Sequence, residues 1–208
     1  MTDITLVKRY EKGVIESSLQ VFRNSLKGVK GIRPELCPAI RSYHSLGWRL
    51  SSPVDVIFRN DRSFDVDNYL DELGRKFLVP GVIGDKESKK LYARIDSGFS
   101  LVNLSVPLIA IKCQGEDPYL SKFEIAPVIY PEGYTGPILL AISANEGFKL
   151  NSNHLIVQII PLTSAEVNLS IRVDYDYIEK NFEGLFKNDW DHLYKKQGRL
   201  DSEDILNQ

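Results

Sequence analysis

The chain has 208 residues, 43% hydrophobic and 26% charged, with a formal net charge of −2. That length carries one domain with a sizeable core, and the charge balance supplies no overall drive toward nucleic acid or an anionic membrane. Two cysteines, Cys37 and Cys113, argue against a disulfide framework and for a cytoplasmic setting. Residues 1–10 lack the pattern of a signal peptide, and no apolar run approaches the roughly 20 residues of a membrane helix.

In chain order, Val7, Tyr10, Val14, Ile15, Leu19, Phe22 and Leu26 recur at helical spacing. The pattern predicts a helix over 4–26, followed by a linker at Gly28, Gly31 and Pro34, so that 1–34 forms a helix-and-linker segment. Short strands are predicted at Trp48–Leu50 and Val54–Phe58, then around Phe77–Val79 and Leu91–Ile95 within a charged, glycine-rich middle. The apolar run Phe99–Ile111 is interrupted by Pro107, which marks an edge, a boundary or a bulge. Further strands are predicted at Phe123–Ile129, Pro137–Ser143, Leu155–Pro161 and Val167–Asp174. Frequent turns between short strands favour an antiparallel sandwich or barrel, placed at 35–176. From Tyr177 an aromatic stripe, including Phe182, Phe186, Trp190 and Tyr194, predicts a C-terminal helical segment over 177–208 that packs on the sheets or on a neighbouring subunit.

Few side chains announce chemistry. Asp61, Asp65, Asp67, Asp71 and Glu72 lack the spacing of a calcium loop and read as a solvated acidic stretch. Lys86, Lys89, Lys90 and Arg94 form a modest basic run of the kind that meets phosphates when it is not simply exposed. Both cysteines read as small buried hydrophobes. The three histidines, His44, His154 and His192, have no zinc-like spacing.

The segment Val128–Gly136, with Gly133-Tyr134-Thr135-Gly136 at its end, and the later Asn153–Gln158 resemble the core hairpin of the dUTPase and dCTP-deaminase-like barrels over residues 123–162. The resemblance implies a mainly β fold, an antiparallel β-barrel or distorted jelly roll with flanking N- and C-terminal helices, and self-association, commonly as a trimer. It places Tyr134 where an aromatic ring stacks on the deoxyribose and Gln158 near the phosphates. Pro131 and Ala141 stand where that family carries its catalytic aspartate and glutamate, and neither can move a proton. A shorter stretch, Cys37–Ile40 with Trp48–Asp55, resembles a segment of uncharacterised tailed-bacteriophage proteins, which implies expression in a bacterial host cytoplasm.

Together these readings lead to the expectation of a non-catalytic protein that binds or sequesters a nucleotide or related small ligand. Tyr134 and Gln158 are its ligand contacts, Arg172 and Lys90 supply positive charge, and no cofactor is required. The alternatives are an active nucleotide pyrophosphatase or deaminase using Glu132 with Mg²⁺, and a virion or assembly protein.

Overall fold

The computed structural model describes residues 2–25, 46–52, 55–58, 64–67, 78–85, 90–113, 117–144, 147–152 and 154–177. Three open sheets account for most of these, and none of the three closes into a barrel. The mainly β expectation holds, whereas the closed form of it does not.

The N-terminal segment differs from the helical expectation. Thr2–Lys8 is strand β1, Ile15–Ser17 is β2, and only Ser18–Ser25 is helical, as α1. Within β1 the apolar residues alternate as Ile4 and Leu6, both buried, against Asp3 and Thr5. That period of two is satisfied by sheet partners far away in sequence, which override the local helical spacing.

The remaining strands are β3 (Trp48–Ser51), β4 (Asp55–Phe58), β5 (Phe64–Asp67), β6 (Leu78–Asp85), β7 (Lys90–Val102) and β8 (Leu108–Lys112). They continue as β9 (Phe123–Ile125), β10 (Val128–Tyr130), β11 (Gly136–Ala144), β12 (Phe148–Leu150), β13 (Leu155–Pro161) and β14 (Val167–Val173). Pro107 sits at the boundary before β8, and Ala126-Pro127 splits the predicted Phe123–Ile129 strand in two. The largest sheet runs β14-β1-β7-β11-β9, with β6 pairing the first part of β7. The second runs β10-β8-β13-β3-β2, and the third β12-β4-β5. Among the described residues all strand pairs are antiparallel except β1 with β14.

The glycine-bracketed turn before β11 is a crossing between sheets, because β10 belongs to the second sheet and β11 to the first. Nor do β11 and β13 form a hairpin: β12 intervenes in the third sheet and β13 pairs with β3 and β8. The physical reason lies in β11, whose burial on both faces suits an interior strand flanked by β7 and β9.

The inner faces merge in one core cluster. It joins Ile4, Leu6, Ile95, Phe99, Leu101, Ile138 and Leu140 of the first sheet to Leu50, Leu108, Ala110, Val157 and Ile159 of the second. Tyr130 binds the two layers directly, its hydroxyl donating to the Leu139 carbonyl at 3.0 Å. The third sheet is tied in by near-parallel rings: Phe58 on Phe148 at 5.1 Å, Phe148 near Phe123 at 6.0 Å, and Phe123 near Tyr119 at 6.5 Å. The aromatic segment predicted for 177–208 lies outside the described residues beyond Tyr177, as does the linker predicted after Ser25 up to residue 45.

Candidate functional site

Strand β13 carries Gln158 in a run of Leu, Ile and Val. The register pairs it with Arg49 on β3 and with Ile111 on β8, and Arg49 in turn lies opposite Glu16 on β2. Alternation puts these four residues on one face of the second sheet and Leu50, Val157, Ile159 and Ala110 on the other, which belongs to the core. Gln158 is 1% exposed, and its Nε2 donates to the Leu46 carbonyl at 2.7 Å.

Arg49 is the unusual member. It is 6% exposed, and its Nε has no hydrogen-bond partner. Glu16 stands directly across the strand pair but is exposed and forms no ion pair with it; among the described residues Arg49 has none. A buried guanidinium without a counter-ion is costly, by several kcal/mol even after relaxation. Beside it, Ser18 follows β2 directly and donates its backbone N–H to the Gly47 carbonyl at 3.1 Å, while its buried Oγ has no partner either. Gly47 is two residues before Arg49, so the two unsatisfied donors lie two positions apart along one strand pair, with Trp48 opposite Ser17 between them.

No protein-family model matches the chain, and no curated protein is significantly similar to it.

A second polar cluster lies on the first sheet. Arg9 hydrogen-bonds the carboxylate of Asp96 and donates to the Phe99 carbonyl at 3.2 Å. Asp96 also accepts from the Gly98 N–H at 2.9 Å. The residues are 5% and 1% exposed. Here the cation has its counter-ion, so the arrangement is a tie between β1 and β7 rather than an open binding site. Arg172, on β14, pairs in register with Val7 and lies over the Tyr177 ring at 5.6 Å.

The residues singled out in the sequence do not converge. Tyr134 is part of the core cluster, its hydroxyl donating to the Pro137 carbonyl at 2.9 Å and its ring 4.9 Å from Tyr130. Its packing leaves no open face for a sugar. Gln158 is on the opposite side of the second sheet from that core. Lys90 opens β7 opposite Asp85, while Arg172 lies level with Ser100 through Val7. Ten residues of β7 separate those levels, about 30 Å of extended strand. Glu132 occupies the exposed turn between β10 and β11, Pro131 precedes it, and Ala141 lies within β11 opposite Arg94. Arg49 was not singled out as a site residue, although a lone charge between Trp48 and Leu50 in a strand is a visible signal.

Cys113 lies within electrostatic reach of this face. Burial pushes its thiol up to about 12, against a smaller opposing pull from Arg49. At pH 8 roughly one molecule in ten thousand then carries the thiolate. A Cys37→Ser variant, which leaves Cys113 as the sole thiol, is expected to resist an aromatic disulfide reagent when native and to react at once in denaturant. Prompt reaction of the native protein would contradict the buried placement.

Proposed function

We propose that this chain is a non-catalytic binding protein for a small anionic, phosphate-bearing ligand, held by Arg49 on the covered face of the second sheet that points away from the core cluster. The observation that carries the reading is the buried Arg49 guanidinium with an unpartnered Nε and no ion pair among the described residues. An arriving phosphate supplies the missing counter-charge, and a guanidinium fork matches its oxygens in paired hydrogen bonds. The unpartnered Ser18 hydroxyl offers a further donor, and Gln158 fixes the floor of the site through Leu46. The resemblance of residues 123–162 to dUTPase-like barrels makes nucleotides the first class to try, and a dUTPase-like ancestry for the β10–β11 crossing belongs to the same proposal.

Thermal unfolding and titration calorimetry with inorganic phosphate, dUMP, dUTP, dCTP and ATP test this. At least one should raise the melting temperature of the wild-type protein and none that of Arg49→Met. Without ligand, Arg49→Met should be as stable as wild type or more stable, by about 1–3 kcal/mol, because methionine fills the site without a buried charge. Stabilisation that persists in Arg49→Met, or no response of the folded wild-type protein to any of the five, would reject the site.

A further inference from the structure

Strand β14 forms one edge of the largest sheet, and among the described residues β1, in parallel register, is the one strand that pairs with it. The register runs unbroken from Thr2 opposite Val167 to Lys8 opposite Val173. At one end the Thr2 N–H donates to the Glu166 carbonyl at 3.0 Å, and at the other the Asp174 N–H donates to the Lys8 carbonyl at 3.1 Å. A parallel ladder alternates, so these ends fix the phase. Asn168, Ser170 and Arg172 turn their backbone groups to β1, and Val167, Leu169, Ile171 and Val173 turn theirs to the open side. Among the described residues no strand covers that side.

The side chains of the same four residues make an apolar row that emerges from the core. Val167 and Leu169 pack against the core cluster, whereas Ile171 is 48% exposed and Val173 56%. Edge strands in soluble proteins carry lysine, proline or bulges against pairing, and between Val167 and Val173 Arg172 is the single charge.

We infer that β14 pairs antiparallel with β14 of a second copy of this chain, across a two-fold axis at Ser170. This register brings every free backbone group into use: Val167 opposite the second copy's Val173, and Leu169 opposite the second copy's Ile171, with the symmetric pairs completing the ladder. Each such pair exchanges two hydrogen bonds. Apolar side chains then face apolar ones. On the other face Arg172 meets the second copy's Asn168, whose own Nδ2 donates to Asp3 Oδ1 at 3.2 Å. The arginine is thereby brought beside an exposed carboxylate, twice per dimer. The surface is self-complementary, as a two-fold interface requires.

Analytical ultracentrifugation of the full chain, from about 1 to about 200 μM, spans the affinities that a short strand-paired interface delivers. A reversible monomer–dimer equilibrium is expected. Ile171→Pro removes an N–H that points to the open side and no bond to β1, so it should weaken the dimer at least about tenfold while the circular dichroism stays unchanged. Ile171→Lys, at a half-exposed position, should do the same without touching the backbone. Asp3→Arg and Arg172→Asp should each weaken association, and their combination should recover part of the loss. A wild-type chain that is monomeric throughout the range, or a dimer that survives both Ile171 variants, overturns the interface. Two charge variants that show no mutual recovery overturn this register.

Discussion

Replacement of Asp96 by alanine is expected to lower the unfolding free energy by about 3–5 kcal/mol, the loss typical of breaking a buried ion pair from one side. The change leaves the Arg9 guanidinium buried and without its carboxylate, when its Nε already lacks a partner. It also strips the Gly98 N–H of its acceptor. Among the described residues, what remains to Arg9 is the Phe99 carbonyl at 3.2 Å. Removing both charges, as Arg9→Met with Asp96→Leu, should recover most of the loss, because the double change abandons no charge in the interior. Urea unfolding of the two single variants and the pair measures this directly, with unchanged slopes showing that only stability has moved. A loss under about 1 kcal/mol in Asp96→Ala would mean that water screens the pair.

The distribution of polar residues in the strands explains how much of this molecule was legible beforehand. From Phe123 onward, β-branched runs between turn residues mark β11, β13 and β14 nearly where they occur, and run β9 and β10 together across Ala126-Pro127. Local pattern failed in β1, because the helical stripe that runs from Val7 to Leu26 has only its first member in the strand, whose own Ile4 and Leu6 alternate with Asp3 and Thr5 over too short a run to outweigh it. The deciding partners are Val167–Val173 and Phe99–Val102, both about a hundred residues or more away. Gln158 was visible as the one amide among apolar neighbours, but the sequence does not say which face of the sheet it shares. That face is set by the pairing with Arg49 and Ile111, and it separates Gln158 from Tyr134. The same limit hides the contrast between the two arginines. Arg9 lies in the charged run Lys8–Lys12 and Arg49 stands alone between Trp48 and Leu50, yet among the described residues it is Arg9 that the fold gives a carboxylate and Arg49 that it leaves without one.

Alanine at Gly47 should be still more damaging in its local consequences than its size suggests, with a loss of more than about 3 kcal/mol. Gly47 has φ +68°, and a Cβ there would lie 1.9 Å from the Ile159 carbonyl oxygen and 2.9 Å from its carbon. Both are backbone atoms of β13, held in register with β3 through Trp48 opposite Ile159, so neither yields without opening the strand pair. Gly133 supplies the control: its φ is +80°, yet an added Cβ meets nothing within 4 Å. Gly133→Ala therefore carries the conformational strain alone, about 1–2 kcal/mol, and the difference between the two variants measures the collision. The positions differ in a second respect. Leu46 and Gly47 present the carbonyls that fix Gln158 and Ser18 beside Arg49. Ligand-induced stabilisation should accordingly vanish in Gly47→Ala and persist in Gly133→Ala. Equal losses of stability would remove the collision from the account. Retained ligand response in a folded Gly47→Ala protein would detach the binding site from this turn.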